Sequence, residues 1–194
     1  MIITYTGRHF DYKNITKDSI NKEDIIPALT RINRFVGHTF RPYSVGEHTF
    51  WCYMMAKKLG YSIREQLLVF IHDFTEAYCG DVNTDLKNLL PEYKRIEKEV
   101  ELAVYGYLGI NPPTEEEKFK IKVVDYTMLV VEMRDITCHN HLRKIEELED
   151  YIAVDILDEF KLHSDVNIDD RAWMVVLNII LDHLLELYKN EYNN

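Results

Sequence analysis

The sequence predicts an all-α fold, a helical bundle carrying one small N-terminal β-hairpin, and three observations predict it. Strict alternation of apolar and polar residues is confined to the first twelve positions. Three later segments open with Ser/Thr-x-x-Glu, in which the hydroxyl caps backbone N–H groups and the Glu reaches back to the cap. Apolar residues then recur at helical spacing through most of the remaining chain.

Taken in order, Ile3-Thr4-Tyr5-Thr6 alternates, turns at Gly7-Arg8 and resumes at His9-Phe10-Asp11-Tyr12, which predicts the hairpin. A helix is expected over about residues 23–35. The first capped helix opens at Ser44-Val45-Gly46-Glu47 and is expected to end at Gly60. The second opens at Ser62-Ile63-Arg64-Glu65 and is expected to end at Gly80, because glycine tolerates the left-handed C-cap conformation. Another helix is expected over about 92–108, and the third capped one opens at Thr114-Glu115-Glu116-Glu117. Residues 140–167 are charged and mixed and read as helix plus loop. A last helix over about 169–190 carries Trp173, Val176, Ile180 and Leu184 in a stripe expected to be core or a subunit contact.

A chain of 194 residues without internal repeat, low-complexity tract or Pro/Gly-rich linker is read as one domain, 1–194. Its 46% hydrophobic and 29% charged residues are an ordinary globular composition. The formal charge of −10 argues against a protein that grips long nucleic acid, which calls for a basic stripe. A small anionic substrate is compatible with it, since a few local cations and a metal outweigh the global field. Cys52, Cys79 and Cys138 form no zinc-type pair and are expected as reduced thiols of a cytoplasmic protein. No secretion signal is expected from MIITYTGRHF, and no window approaches the roughly 18–20 apolar residues of a membrane span.

The most informative string is His72-Asp73-Phe74-Thr75-Glu76, directly after Leu67-Leu68-Val69-Phe70-Ile71. Burying an imidazole and a carboxylate in so apolar a segment costs several kcal/mol unless each finds a partner. A hydrogen-bonded core pair is one solution and a divalent cation is another. The cation gains from His48, one turn into the Ser44 helix, and from Asp125, an acid in the apolar stripe around Val123-Val124. Two imidazoles and two carboxylates suit Mn, Fe, Co, Ni or Zn, with Mg also possible. Such an ion lowers the pKa of bound water and polarises a phosphoryl group. Glu76, i+3 from Asp73 and i+4 from His72, would share their helix face.

The ordered set His48, His72-Asp73 and Asp125 resembles the HD-domain phosphohydrolases, all-helical metal enzymes. The resemblance runs over about residues 1–135 and includes Arg34-Phe35, Tyr43-Ser44-Val45-Gly46-Glu47-His48, Gly80-Asp81, Thr84-Asp85-Leu86-Lys87 and Glu132-Met133-Arg134-Asp135. Within the superfamily it is similar to the small bacterial and phage enzymes acting on deoxynucleotides, the 5′-deoxyribonucleotidases and the deoxyadenosine triphosphate triphosphohydrolases. The resemblance implies that His48, His72, Asp73 and Asp125 hold the metal and that Glu76 activates water or protonates the leaving oxygen. It implies phosphate binding by Arg34, with Phe35 near the sugar where the family usually has Trp. Asp81, Thr84 and Lys87 match a loop that touches the sugar hydroxyl and the phosphate. A small nucleotide substrate and a homo-oligomer are implied in the same way. Hydrolysis of a cyclic nucleotide or a guanosine alarmone is the alternative, and a regulatory module without turnover is another.

Several residues carry a plainer reading beside the functional one. Glu76 would be an ordinary solvated helix residue, Thr84 would cap the short helix after it, and Lys87 and Arg41 would be surface cations. Glu132, Arg134 and Asp135 are expected to be structural, an ion pair holding the Asp125 helix against its neighbour, with contact of Arg134 to substrate as the other reading. His38 is expected either to face the pocket or to make local loop hydrogen bonds. Cys138-His139-Asn140-His141 lacks a matched second pair and reads as a poor metal cluster.

Overall fold

The computed structural model describes residues 1–137, 151–165 and 168–192. It is an all-α bundle with a two-stranded N-terminal hairpin, as expected. Strand β1 (Ile2–Ile3) pairs antiparallel with β2 (His9–Phe10), placing Ile2 opposite Phe10 and Ile3 opposite His9. The hairpin is shorter than its alternation suggested, and its inward ring, Phe10, stacks on Tyr78 in the core.

Eight α-helices follow among the described residues: α1 (Lys22–Leu29), α2 (Val45–Lys58), α3 (Ile63–Ile71), α4 (Glu76–Cys79), α5 (Thr84–Asn88), α6 (Pro91–Leu108), α7 (Glu115–Ile136) and α8 (Asp170–Tyr192). Short 3₁₀ turns lie at Lys17–Ser19, Arg34–Gly37 and Val154–Glu159. The Cys138-His139-Asn140-His141 string lies outside the described residues, as does much of the segment read as helix plus loop.

Helix α3 explains the architecture. Leu67, Leu68, Val69, Phe70 and Ile71 are all buried, so this short helix is apolar on every side and must be enclosed. One side meets Ile25, Ile26, Leu29, Leu177, Leu181 and Leu184 in the larger core; Val69 meets Tyr43, Met55, Val124, Met128 and Val131 in a second one. Helices α2, α7 and α8 therefore pack around it. On α8 the buried line is Trp173, Leu177, Leu181, Leu184 and Tyr188; Val176 of the expected stripe is exposed, beside Val175 and Ile179. Among the described residues no helix is long and apolar enough to cross a membrane.

Three local findings differ from the sequence expectation. The first predicted helix ends at Leu29 rather than near 35. The Ser62 helix does not run unbroken to Gly80: α3 stops at Ile71, and His72 to Thr75 form tight turns with i→i+3 bonds such as Glu76 N–H to the Asp73 carbonyl (3.0 Å). The break falls on the His-Asp pair itself. The Ser62 and Thr114 capping boxes are complete, whereas at Ser44 only the hydroxyl caps, because the Glu47 carboxylate is taken by Arg41.

Helix α2 starts unusually close to its neighbours. A Cβ at Gly46 would stand 3.1 Å from both Leu177 Cδ1 and Thr30 Cγ2 and 3.2 Å from the Thr30 backbone. Glycine there lets α2 enter the bundle against α1 and α8, which carries His48 to the centre.

Candidate metal centre

His48 lies on the buried face of α2, His72 caps the end of α3, Asp73 sits in the turn after it, and Asp125 lies midway along α7. The two imidazole Nε2 atoms are 3.4 Å apart. Asp73 Oδ2 is 3.5 Å from His48 Nε2 and 3.3 Å from His72 Nε2; Asp125 Oδ1 is 3.4 Å and 3.9 Å from the same atoms. Metal–donor bonds of ~2.1 Å put adjacent octahedral positions ~3.0 Å apart and opposite ones ~4.2 Å apart. The observed separations between each aspartate oxygen and the two Nε2 atoms fall between these limits, so each carboxylate stands within reach of a cation bound by the two imidazoles. His48 is fully enclosed, while His72, Asp73 and Asp125 keep 10%, 17% and 31% of their side chains exposed, so the cluster opens on one side.

Both imidazoles are held by their other nitrogen. His48 Nδ1 bonds Glu132 Oε1 at 2.5 Å, and His72 Nδ1 bonds the Val69 carbonyl at 2.6 Å. Acceptors at both Nδ1 atoms favour a proton on that nitrogen and leave Nε2 as the nitrogen turned to the centre. The Asp73 Oδ2 atom is buried with no hydrogen-bond partner among the described residues. An anionic oxygen left so, facing two Nε2 atoms, is matched to a cation.

Glu132 was expected only to bind α7 to a neighbour; it is instead the hub of the site. It lies two turns beyond Asp125 on α7, has no exposed surface, and accepts from His48, from Tyr43 Oη at 2.9 Å and from Arg34 Nε and Nη2 at 3.3 and 3.2 Å. Burial works against its charge, but Arg34 and His48 outweigh it and hold the carboxyl below its ordinary range. The signal was an acid in Leu129-Val130-Val131-Glu132-Met133, seven residues after Asp125 and so on its helix face.

Cys52 is the second residue sequence reasoning passed over. It is i+4 from His48 on α2, fully buried, with Sγ 3.3 Å from His48 Nε2, so His48, Cys52 and His72 form a group able to hold a metal ion. Burial pushes its thiol up to about 11 although the neighbouring imidazole pulls it down. The His-x₃-Cys spacing was the available sign.

Burial and Arg34 press the His48 pKa down, yet Cys52, Glu132 and Asp125 together raise it well above the ordinary imidazole range. Burial likewise opposes the Asp125 charge, and the two histidines and Arg34 pull its carboxyl below the usual range.

Arg34 enters through a strained turn. Phe35 and Val36 both adopt left-handed φ, 55° and 53°, costing about 1–2 kcal/mol each. The Arg34 N–H bonds the Tyr43 carbonyl at 2.9 Å, closing the loop beside the start of α2. Glu132 holds one edge of the guanidinium, and Nη1 faces Asp73 Oδ2 at 3.5 Å. Phe35 lies under the guanidinium, its centroid 5.7 Å from Cζ.

Glu76, Asp73, Lys87 and His72 line one cavity of about 400 Å³. Glu76 is buried, with Oε2 unpartnered among the described residues; burial, then Asp73 and Asp81, push its carboxyl well above the ordinary range. Burial also raises Asp81, which sits in the field of Arg34, Asp73 and Lys87. Lys87 is half-buried and paired with Glu97 at 2.6 Å, so it is not a free surface cation. Thr84 is exposed at the first position of α5, and Asn83 rather than Thr84 caps that helix.

Arg41 is not a surface cation either. It is buried, forks onto Glu47 at 2.6 and 2.8 Å and also donates to the Pro42 and His163 carbonyls. His38 is exposed and its backbone N–H bonds Phe35. Arg134 and Asp135 tie the 154–162 segment to α7 through the Leu157 and Phe160 carbonyls and the Leu162 N–H.

The chain is 36% identical over 135 residues to the uncharacterized protein YfdR of Escherichia coli (strain K12). That alignment covers 70% of this chain and 71% of YfdR. The chain belongs to the YfdR family. No family model matches it. As a YfdR relative it has a buried His48/Cys52/His72 group with acidic neighbours, a site fit for a divalent metal and hence for metal-dependent catalysis in general.

Proposed function

We propose that the chain is an HD-type metal-dependent phosphohydrolase that cleaves the 5′-phosphoester of a small deoxynucleotide, mono- or triphosphate. The observation that carries the reading is the pair of imidazoles locked at Nδ1, with both Nε2 atoms converging on Asp73 and Asp125. His48, His72, Asp73 and Asp125 would hold the ion, with Mn, Co, Ni, Fe or Zn suiting two nitrogens and two oxygens and Mg tolerable. Cys52, a neutral thiol behind His48, lies within reach of the same place.

Bound there, a divalent cation supplies Lewis acidity toward a phosphoryl oxygen and a lowered pKa for water. The remaining work belongs to the chain. Arg34, anchored by Glu132, turns Nη1 toward the open side and binds a phosphate oxygen. Glu76 keeps a proton to higher pH than an ordinary carboxyl and delivers it to the leaving 5′-oxygen. Lys87, in the same cavity, adds positive charge near the phosphate, and Asp81, in the field of Arg34 and Lys87, is the residue assigned to a sugar hydroxyl. Thr84 contributes from the rim of α5. The homo-oligomer rests on the HD resemblance alone, and the cytoplasmic setting on the reading of the three cysteines as reduced thiols.

The test is product analysis by chromatography with the Mn²⁺- or Co²⁺-loaded protein, offered each deoxynucleoside mono- and triphosphate. Nucleoside with phosphate, or nucleoside with tripolyphosphate, is the expected outcome and decides the phosphate count. Metal-loaded protein that converts neither pool would overturn the proposal.

A further inference from the structure

A second cavity, of about 550 Å³, adjoins the first: His72, Lys98 and Glu101 line both. Its far wall is aromatic. Phe119 and Tyr151 face each other with centroids 5.4 Å apart at 42°, and Tyr126 meets Tyr151 edge-on behind them. Phe119 is 48% exposed, so half of this large apolar ring lies uncovered at a cavity that runs to a metal-site histidine.

The wall stands at a useful distance. Phe119 precedes Asp125 by six positions on α7, or ~9 Å along the axis. Six positions also turn Phe119 about 120° around the axis from Asp125, so the rings meet the metal site through the His72 end of the shared cavity, which suits a ligand with an anionic end there and a planar end at the rings. Lys98 and Lys118 line this cavity paired with Glu101 and Glu115, while Lys122, in the same lining, holds its Nζ 5.8 Å over the Tyr151 ring and brings a cation to the aromatic wall. Aromatic faces with interleaved lysines accept a flat heterocycle on an anionic stem and do so with little regard to which base it is.

We propose that Phe119 and Tyr151 form the shelf on which the substrate's nucleobase stacks while its 5′-phosphate lies at the His72 end. This deepens the phosphohydrolase reading and rests on it. The shelf gives affinity, and the metal and Glu76 give rate.

The experiment compares deoxynucleoside 5′-monophosphates with deoxyribose 5-phosphate, which has the phosphoester but no base, using Mn²⁺-loaded wild type, Phe119→Ala and Phe119→Tyr. Phe119→Ala should raise KM for the nucleotides by about tenfold, the effect of losing one stacked ring. It should leave deoxyribose 5-phosphate turnover unchanged, and Phe119→Tyr should restore the nucleotide KM. Equal loss on both substrates, or none on either, overturns the shelf while leaving the phosphohydrolase intact. If wild type converts neither compound, the monophosphatase form of that reading fails by itself, and the shelf is read by equilibrium dialysis of the four free deoxynucleosides. Weaker binding to Phe119→Ala then supports it, and equal binding overturns it.

Discussion

Replacing Glu132 by Gln alters one charge and almost no volume, at the residue on which the site converges. One carboxylate oxygen accepts from His48 Nδ1 and Tyr43 Oη, the other from Arg34 Nε and Nη2. Glutamine must turn an NH₂ toward one of these sets of donors. Facing Arg34, it leaves a buried guanidinium with only Asp73 at 3.5 Å. Facing His48, it drives the imidazole to the other tautomer and places a proton on Nε2, where a lone pair is needed. Breaking a buried ion pair costs about 3–5 kcal/mol, and the surviving Asp73 contact argues for the lower end. At 2–4 °C per kcal/mol for a chain of this size, melting should fall by roughly 6–12 °C. Loss of a residue that orients a ligand should weaken metal binding by roughly 10–100-fold. Melting followed by circular dichroism and metal titration against a competing chelator measure the two effects. A folded Glu132→Gln protein that binds metal as tightly as wild type would refute the orienting role.

Asp73→Ala should abolish turnover and reduce bound metal, whereas Glu76→Ala should keep its metal and lose about 10²–10⁴ in kcat; metal analysis beside kinetics separates the two, and full activity in Asp73→Ala would remove the metal assignment. Metal binding should weaken as pH falls. His48 has a raised pKa in the metal-free protein and must be neutral to bind metal, so binding expels its proton and affinity should change by about tenfold per pH unit below that pKa. Calorimetry in buffers of different ionisation enthalpy counts the proton, and a pH-independent affinity would contradict the scheme. The same raised pKa makes the protonated His48 a stabilising element of the metal-free protein, fully present below the unfolded imidazole pKa and lost as pH rises through the folded value. Melting in chelator should therefore decline toward alkaline pH and recover with added metal. Gly46→Ala should cost about 1–3 kcal/mol, because a methyl group there would stand 3.1–3.2 Å from Leu177 and the Thr30 backbone and force α2 to shift; chemical denaturation gives the value, and wild-type stability would mean that α2 can shift outward freely.

Much of this molecule can be read from local signals. Ser62, Thr114 and the hairpin alternation state their structure within a few residues, and the described chain follows them. The candidate site was legible because polar groups in apolar runs need an explanation, and the side chains of His48, His72, Asp73 and Asp125 do come together. Arg41 was misread because its partner Glu47 had already been assigned to a capping box, and sequence cannot say which of two acceptable partners a carboxylate takes. The break after Ile71 was invisible for a related reason: helical dihedrals continue through His72, and only tertiary enclosure of α3 decides that the turn tightens there. Glu132 looked like a partner for a neighbouring helix because its three donors come from separate parts of the chain, at positions 34, 43 and 48.

The two imidazoles differ in how a single codon change can reach them. The tautomer of His48 depends on the side chain of Glu132, which one substitution can remove. That of His72 depends on the Val69 carbonyl, which every amino acid at position 69 supplies. A saturation scan of the protein would therefore expose the support of one histidine as a sharp loss at Glu132. At position 69 it would register only the packing of the valine side chain, although the backbone beneath is doing the same job.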